Sequence, residues 1–269
     1  MGLPRYSPSG SFSILRTFIA WSTVLVEALL AALAWRDLAR CLPLPTAVPE
    51  NGGQSTSAHM VFLLRAGAPL SLAAGLEVGV FQLSGLVVAQ AGVDALAAHQ
   101  ALLTVAAYAA AIPVALTTSC SILVAEQIAR GRSPRGVVRG AAIVGVSLAV
   151  GLVLATLLLG GRLVALFVAR GSLPWALAVE VGPWLAVLLV ADTLQGTAGG
   201  VLRGFQDTRF IGRTAALCLG VGGAGGLLAT FCLGAGVRAV WSVLGGALLL
   251  MLAASGHRLL GLLSRSDVA

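Results

Sequence analysis

The chain has 269 residues, of which 58% are hydrophobic and 10% charged, with a mean hydropathy of +0.97. A water-soluble domain carries roughly 25% charged residues, so that class is excluded and a multi-pass membrane protein is implied. The formal charge of +7 rests on seventeen arginines with no lysine, spread through the gaps between apolar runs; nucleic-acid binding, which needs basic residues gathered on one solvated surface, is excluded.

Apolar runs bounded by Arg, Gly and Pro define seven spans in chain order. The first covers about 12–35, an N-terminal transmembrane helix within segment 1–35. A polar, proline-rich connector follows over 36–59 (RDLARCLPLPTAVPENGGQSTSAH) and reads as a linker. Six further spans are expected near 60–91, 95–128, 137–168, 173–202, 211–234 and 240–260, forming one six-helix unit over 60–260 with a short tail at 261–269. Several exceed the ~20 residues a bare crossing needs, so tilt is implied. The 34 glycines suit this class, because small residues let membrane helices approach closely.

Arginine placement orients the spans. Alternating loops put Arg36, Arg40, Arg65, Arg130, Arg132, Arg135, Arg139, Arg203, Arg209, Arg213, Arg258 and Arg265 on one side, and only Arg5, Arg16, Arg162, Arg170 and Arg238 on the other. The positive-inside rule makes the richer side cytoplasmic, including the linker and the C-terminal tail. The N-terminus then lies outside, as expected for a piece of a longer protein. The four cysteines have no C-x-x-C spacing and are expected to pack as small buried hydrophobes.

Two carboxylates fall in the middle of spans. Glu77 lies in PLSLAAGLEVGVFQLSGLVV, with Ala73 and Ala74 one turn back and Ser84 two turns on. Asp192 lies in WLAVLLVADTLQGTAGGVLRG, with Gln195 and Gly199 on its face and Thr193, Thr197 and Gly200 adjoining. An acid at the bilayer centre costs at least ~2.5–3.5 kcal/mol on insertion scales, so it marks an ion, proton or cation pathway by default. A carboxyl in such surroundings is suited to loading and releasing a proton. The competing reading, an interhelical hydrogen bond, is about as strong for Asp192 alone and weaker for two acids on separate spans.

Gln100, Thr104 and Tyr108, with Thr118 returning to the face of Gln100, form a polar stripe that should meet protein or a wet cavity and not lipid. His99 is expected at the interface near a helix start. Pro69, Pro113 and Pro183 fall inside spans, where they favour kinks. Glu27 reads as a packing or interfacial residue, and Glu126 and Glu180 as solvated span ends. GVGGAG (220–225) fits G-x-G-x-x-G but lacks a preceding strand and a following acid; Gly222 and Gly226 instead suggest a helix-packing face. No metalloprotease, nucleophile-elbow or P-loop motif is present, so an enzyme is not expected.

The segments FLLRAGAPLSLAAGLEVGVFQLSGL, LAAHQALLTVAAYAAAIPVALTTS, VAEQIARG, ADTLQGTAGGVLRGFQDTR and GAGVRAVWS resemble, in order and spacing, the C-terminal half of the multidrug and toxic compound extrusion (MATE) family, across about three quarters of the chain. The resemblance implies an all-α polytopic bundle of about seven transmembrane helices: one lobe of the family's two-lobed fold plus the sixth-helix-like span before it. It also implies antiport of organic cations or toxic small molecules against protons or sodium, with no other cofactor, in the plasma membrane. Glu77 then matches the family's seventh-helix cation-coupling glutamate, and Asp192 the tenth-helix acid of sodium-coupled members, a possible Na+ ligand. Gln100 and Thr104 fall on the eighth helix, which borders the same cavity. Leu188 stands where sodium-coupled members carry a tyrosine, which leaves proton coupling at least as plausible. The expected partners are the bilayer, an organic cation, and an N-terminal lobe or second copy; the alternative is a half-transporter that binds membrane partners without transporting.

Overall fold

The computed structural model describes residues 21, 24–26, 28–36 and 56–265, and the chain divides into two units, 1–55 and 56–269. In the first unit the described residues are helical and exposed. Glu27, Cys41 and most of the connector lie outside the described residues.

The described residues of the second unit form helices joined by short turns: α1 (Thr56–Ala89), α2 (Val93–Ala129), α3 (Arg135–Val164), α4 (Leu173–Gly204), α5 (Thr208–Ala215), a π-helical segment (Ala216–Ala224), α6 (Gly225–Leu233) and α7 (Val237–Arg265). α5, the π segment and α6 run on as one rod, so six helices are long and apolar enough to cross a membrane. This is an all-α membrane bundle. The turns come where the sequence supplies conformational freedom: Gly234 closes α6 in the left-handed region (φ 63°), and Ser172 caps α4, accepting from the Trp175 amide at 3.4 Å with Pro174 in the first turn.

α4 is the centre of the unit and packs on α2, α3 and α7. Its fit against α2 comes from glycines at 196, 200 and 204, one turn apart on one face. A Cβ on Gly200 would meet the Thr117 carbonyl oxygen at 2.4 Å, one on Gly196 would meet Thr117 Oγ1 at 2.9 Å, and one on Gly204 would meet Val124 Cβ at 2.6 Å. Backbone here touches neighbouring helix directly, as in small-xxx-small seams. Of the pair 222 and 226, Gly226 does pack, against Val243, but Gly222 has no atom of another helix within reach.

Hydroxyls along the spans return to their own helices: Thr104, Thr117, Thr118, Ser119, Thr156, Thr193, Thr197 and Thr230 each donate to the carbonyl four residues back. That satisfies polar side chains where lipid offers no partner. Large apolar side chains such as Leu154, Leu157 and Leu158 of α3 point outward and are exposed, the arrangement a lipid-facing surface requires. Cysteines divide between environments: Cys120 is buried against Val124, Val138 and Ala141, whereas Cys232 is exposed on α6, so the expectation of uniformly buried thiols is corrected.

His99 lies near the start of α2, as expected, and is fully buried in the protein, because helix crossing brings Ser84 of α1 and Trp241 of α7 onto it. Trp241 Nε1 donates to His99 Nδ1 at 3.1 Å, and the second ring nitrogen meets Ser84 Oγ at 3.0 Å. Glu126 and Glu180 are partly exposed at span ends, as expected, yet paired: with Arg130 at 2.5 Å and with Arg238 respectively.

Candidate functional site

Glu77 of α1 and Asp192 of α4 line one cavity of about 120 Å³. α1 contributes Ala73 and Ala74 beside the glutamate, α2 contributes Pro113, Thr117 and Thr118, and α4 adds Gln195, Gly196, Gly199 and Arg203. The local sequence builds this space. Small residues one turn before Glu77 and one and two turns after Asp192 leave volume that larger side chains would fill.

Both acids are half-buried. Among the described residues neither makes a hydrogen bond or an ion pair, and no buried side-chain nitrogen or oxygen lacks a partner. The two carboxylates therefore open onto the cavity and are not spent on interhelical bonds. With no direct protein donor, each acid depends on water, a proton or a cation within the cavity, where Arg203 is the lining residue of opposite charge. Thr117 and Thr118 turn their protons onto Pro113 and Val114 carbonyls at 2.9 and 3.0 Å, which leaves their oxygen lone pairs as acceptors. Carboxylate, hydroxyl and amide oxygens are a donor set for a hard cation such as sodium, or for hydronium and water.

Gln100 and Thr104 do not line this cavity. They stand 13 residues before Pro113 and Thr117 on α2, which places them about 20 Å away along the helix axis. Thr104 donates to the Gln100 carbonyl at 2.8 Å, and Gln100 is exposed. Tyr108 is 75% exposed, so the polar stripe lies uncovered on the surface of this unit.

Two residues of the site are not legible from sequence alone. Arg203 reads as a loop-side orientation signal, yet it lines the cavity three turns beyond Asp192. Met251 of α7 joins the lining from a segment with no polar residue to mark it. The glycine repeat at 196, 200 and 204 is the signal that could have paired α4 with α2 and so brought Thr117 to Asp192.

The MatE family profile matches residues 69–228, a stretch that begins before Glu77 and ends beyond Asp192. A probable multidrug resistance protein NorM of Pasteurella multocida is 31% identical over 151 residues, covering 55% of this chain and 32% of that protein. Another of the same description from Bradyrhizobium diazoefficiens is 35% identical over 154 residues, covering 55% and 33%. The aligned part of the chain thus spans about a third of the length of these relatives.

Proposed function

Because this chain belongs to the MatE family, we propose that it supplies the cation-binding lobe of a secondary antiporter that exports organic cations or toxic small molecules in exchange for protons or sodium. Glu77 and Asp192 are the exchanging ligands: a coupling ion that occupies them releases cargo, and cargo that occupies them releases the ion. The single observation behind this reading is that both acids, from different candidate spans, line one cavity, and among the described residues neither makes a hydrogen bond or an ion pair. The relatives' names, probable multidrug resistance proteins, support the cargo class. Leu188, one turn before Asp192, is packed in the hydrophobic core and brings no oxygen to the site, which leaves protons at least as plausible as sodium.

Magnitude divides the work. A cavity of about 120 Å³ holds about four waters at ~30 Å³ each, or an ion with fewer, whereas pockets for drug-sized ligands are roughly 300–1,000 Å³. Cargo therefore needs a second wall. The uncovered stripe of Gln100, Thr104 and Tyr108 is polar surface on a membrane helix, which lipid does not tolerate, and we assign it to the cargo cleft facing an N-terminal lobe or a second copy. Rocking of one lobe against the other would alternate access to that cleft. The plasma membrane, the usual location of the family, is the proposed site of action.

Efflux of a fluorescent organic cation from energised vesicles tests the reading, with the chain supplied alone and with a complementary lobe. Glu77→Gln is expected to abolish coupled efflux, and Asp192→Asn to reduce it and shift its ion dependence. Full efflux by the double variant would overturn the proposal. Efflux absent in every combination, with the chain still bound to a membrane partner, would establish the half-transporter reading instead.

A further inference from the structure

A second feature of the unit lies outside the acid cavity. α1 and α5 both start at the arginine-rich end, and they meet where Gly212 packs on Pro69: a Cβ on Gly212 would stand 2.7 Å from Pro69 Cβ. This close crossing opens an apolar groove of about 380 Å³ between the two helices, walled by Ala68, Leu72 and Ala216. Three guanidinium groups edge it, from Arg65, Arg209 and Arg213. Because Pro69 and Gly212 are level, Arg65 and Arg209 share one depth at the mouth. Arg213 lies about 6 Å farther in by helix rise.

Among the described residues, charge at this rim is uncompensated. The acid nearest in sequence, Asp207, is held by Arg258 at 2.7 Å, and Arg258 in turn lies over the Phe210 ring. Among the described residues Arg65, Arg209 and Arg213 have no carboxylate within ion-pair distance. Three cations around an apolar slot, at the end of a membrane bundle, call for a ligand that is anionic at one end and apolar along its length. Guanidinium groups bind phosphate in planar, bidentate fashion, and basic pockets between membrane helices on the cytoplasmic side take phospholipid headgroups.

We propose that this groove is a binding site for an anionic phospholipid, with the headgroup phosphate held by Arg65, Arg209 and Arg213 and an acyl chain lying along Ala68, Leu72 and Ala216. The lipid fastens α5 to α1, the helix that carries Glu77, and it belongs to the leaflet the positive-inside rule makes cytoplasmic. The site stands whether or not the chain transports.

The test uses the full chain purified in detergent, with lipid binding read by native mass spectrometry and by thermal unfolding. Phosphatidylglycerol, phosphatidylcholine and glycerol phosphate serve as probes. Phosphatidylglycerol is expected to be retained and to raise the unfolding midpoint. Phosphatidylcholine, without net charge, and glycerol phosphate, without chains, should do neither. Removing two guanidinium groups as Arg209→Gln with Arg213→Gln should weaken phosphatidylglycerol binding about 30-fold, at ~1 kcal/mol per arginine. Because these side chains are exposed, the midpoint in phosphatidylcholine should not move. Leu72→Trp, which fills the groove and keeps the charges, should also displace the lipid. Equal binding of both lipids, equal binding of glycerol phosphate, or unchanged binding by the arginine variants would each overturn the proposal.

Discussion

His99 uses both ring nitrogens. The Trp241 indole N–H only donates, so Nδ1 accepts, the proton sits on Nε2, and that N–H donates to Ser84 Oγ. The Ser84 hydroxyl in turn donates to the Phe81 carbonyl at 2.6 Å. One neutral tautomer thus completes a chain of bonds across α1, α2 and α7 in the dry interior. Breaking one link strands a buried group, which costs about 1–3 kcal/mol. Trp241→Phe, which keeps the ring and removes the donor, should destabilise by that amount in thermal unfolding of the purified protein. Ser84→Ala should do likewise, and the double variant should cost less than the sum because the links form one network. Ser84 lies two turns from Glu77 on the same face of α1, so the network also fixes the rotation of that helix about its axis. The two acids should couple in the same sense: calorimetric cation binding by Glu77→Gln, Asp192→Asn and the double variant should be non-additive, since both line one cavity. Additive losses would mean that they serve separate ions.

At the scale of elements, the seam between α2 and α4 decides where the site forms. Gly200→Ala would drive a methyl group to 2.4 Å from the Thr117 carbonyl oxygen. It should separate the helices, destabilise by about 1–3 kcal/mol as overpacking does, and weaken cation binding because Thr117 and Asp192 line the same cavity. Gly151→Ala on α3 meets nothing within 4 Å and should be neutral or stabilising by up to ~1 kcal/mol. Equal behaviour of the two variants in thermal unfolding would remove the seam argument. The helices themselves were legible in sequence, since the six spans read from hydropathy differ from α1–α7 mainly at their ends. The split of the sixth into α5, a π segment and α6 was not, because apolar periodicity does not separate i→i+4 from i→i+5 bonding. Such a π segment is a recurrent companion of functional sites, and here its Gly223 packs on Val80, one turn from Glu77.

Across the whole unit, charge sorts by end. Arg130, Arg132, Arg135, Arg139, Arg203, Arg209, Arg213 and Arg258 gather where α2 and α4 finish and α3 and α7 meet through the Arg135–Leu263 carbonyl bond at 3.1 Å. Arg162, Arg170 and Arg238 lie at the other end, where Arg238 pairs with Glu180. In a cysteine-free background, Arg132→Cys should react with an impermeant maleimide only from the cytoplasmic side, and Arg170→Cys only from outside. The reverse pattern would invert the orientation, and with it the leaflet assigned to the phospholipid groove.

Membrane class, span number in the second unit, helical type and the depth of Glu77 and Asp192 follow from sequence by itself, because lipid forces long apolar helices and makes each embedded charge conspicuous. Which residues meet around those charges was decided by tertiary structure. His99 became a buried junction, Arg203 joined the cavity and Gln100 and Thr104 fell outside it, since these outcomes depend on how helices cross and at what depth, and a linear pattern carries neither.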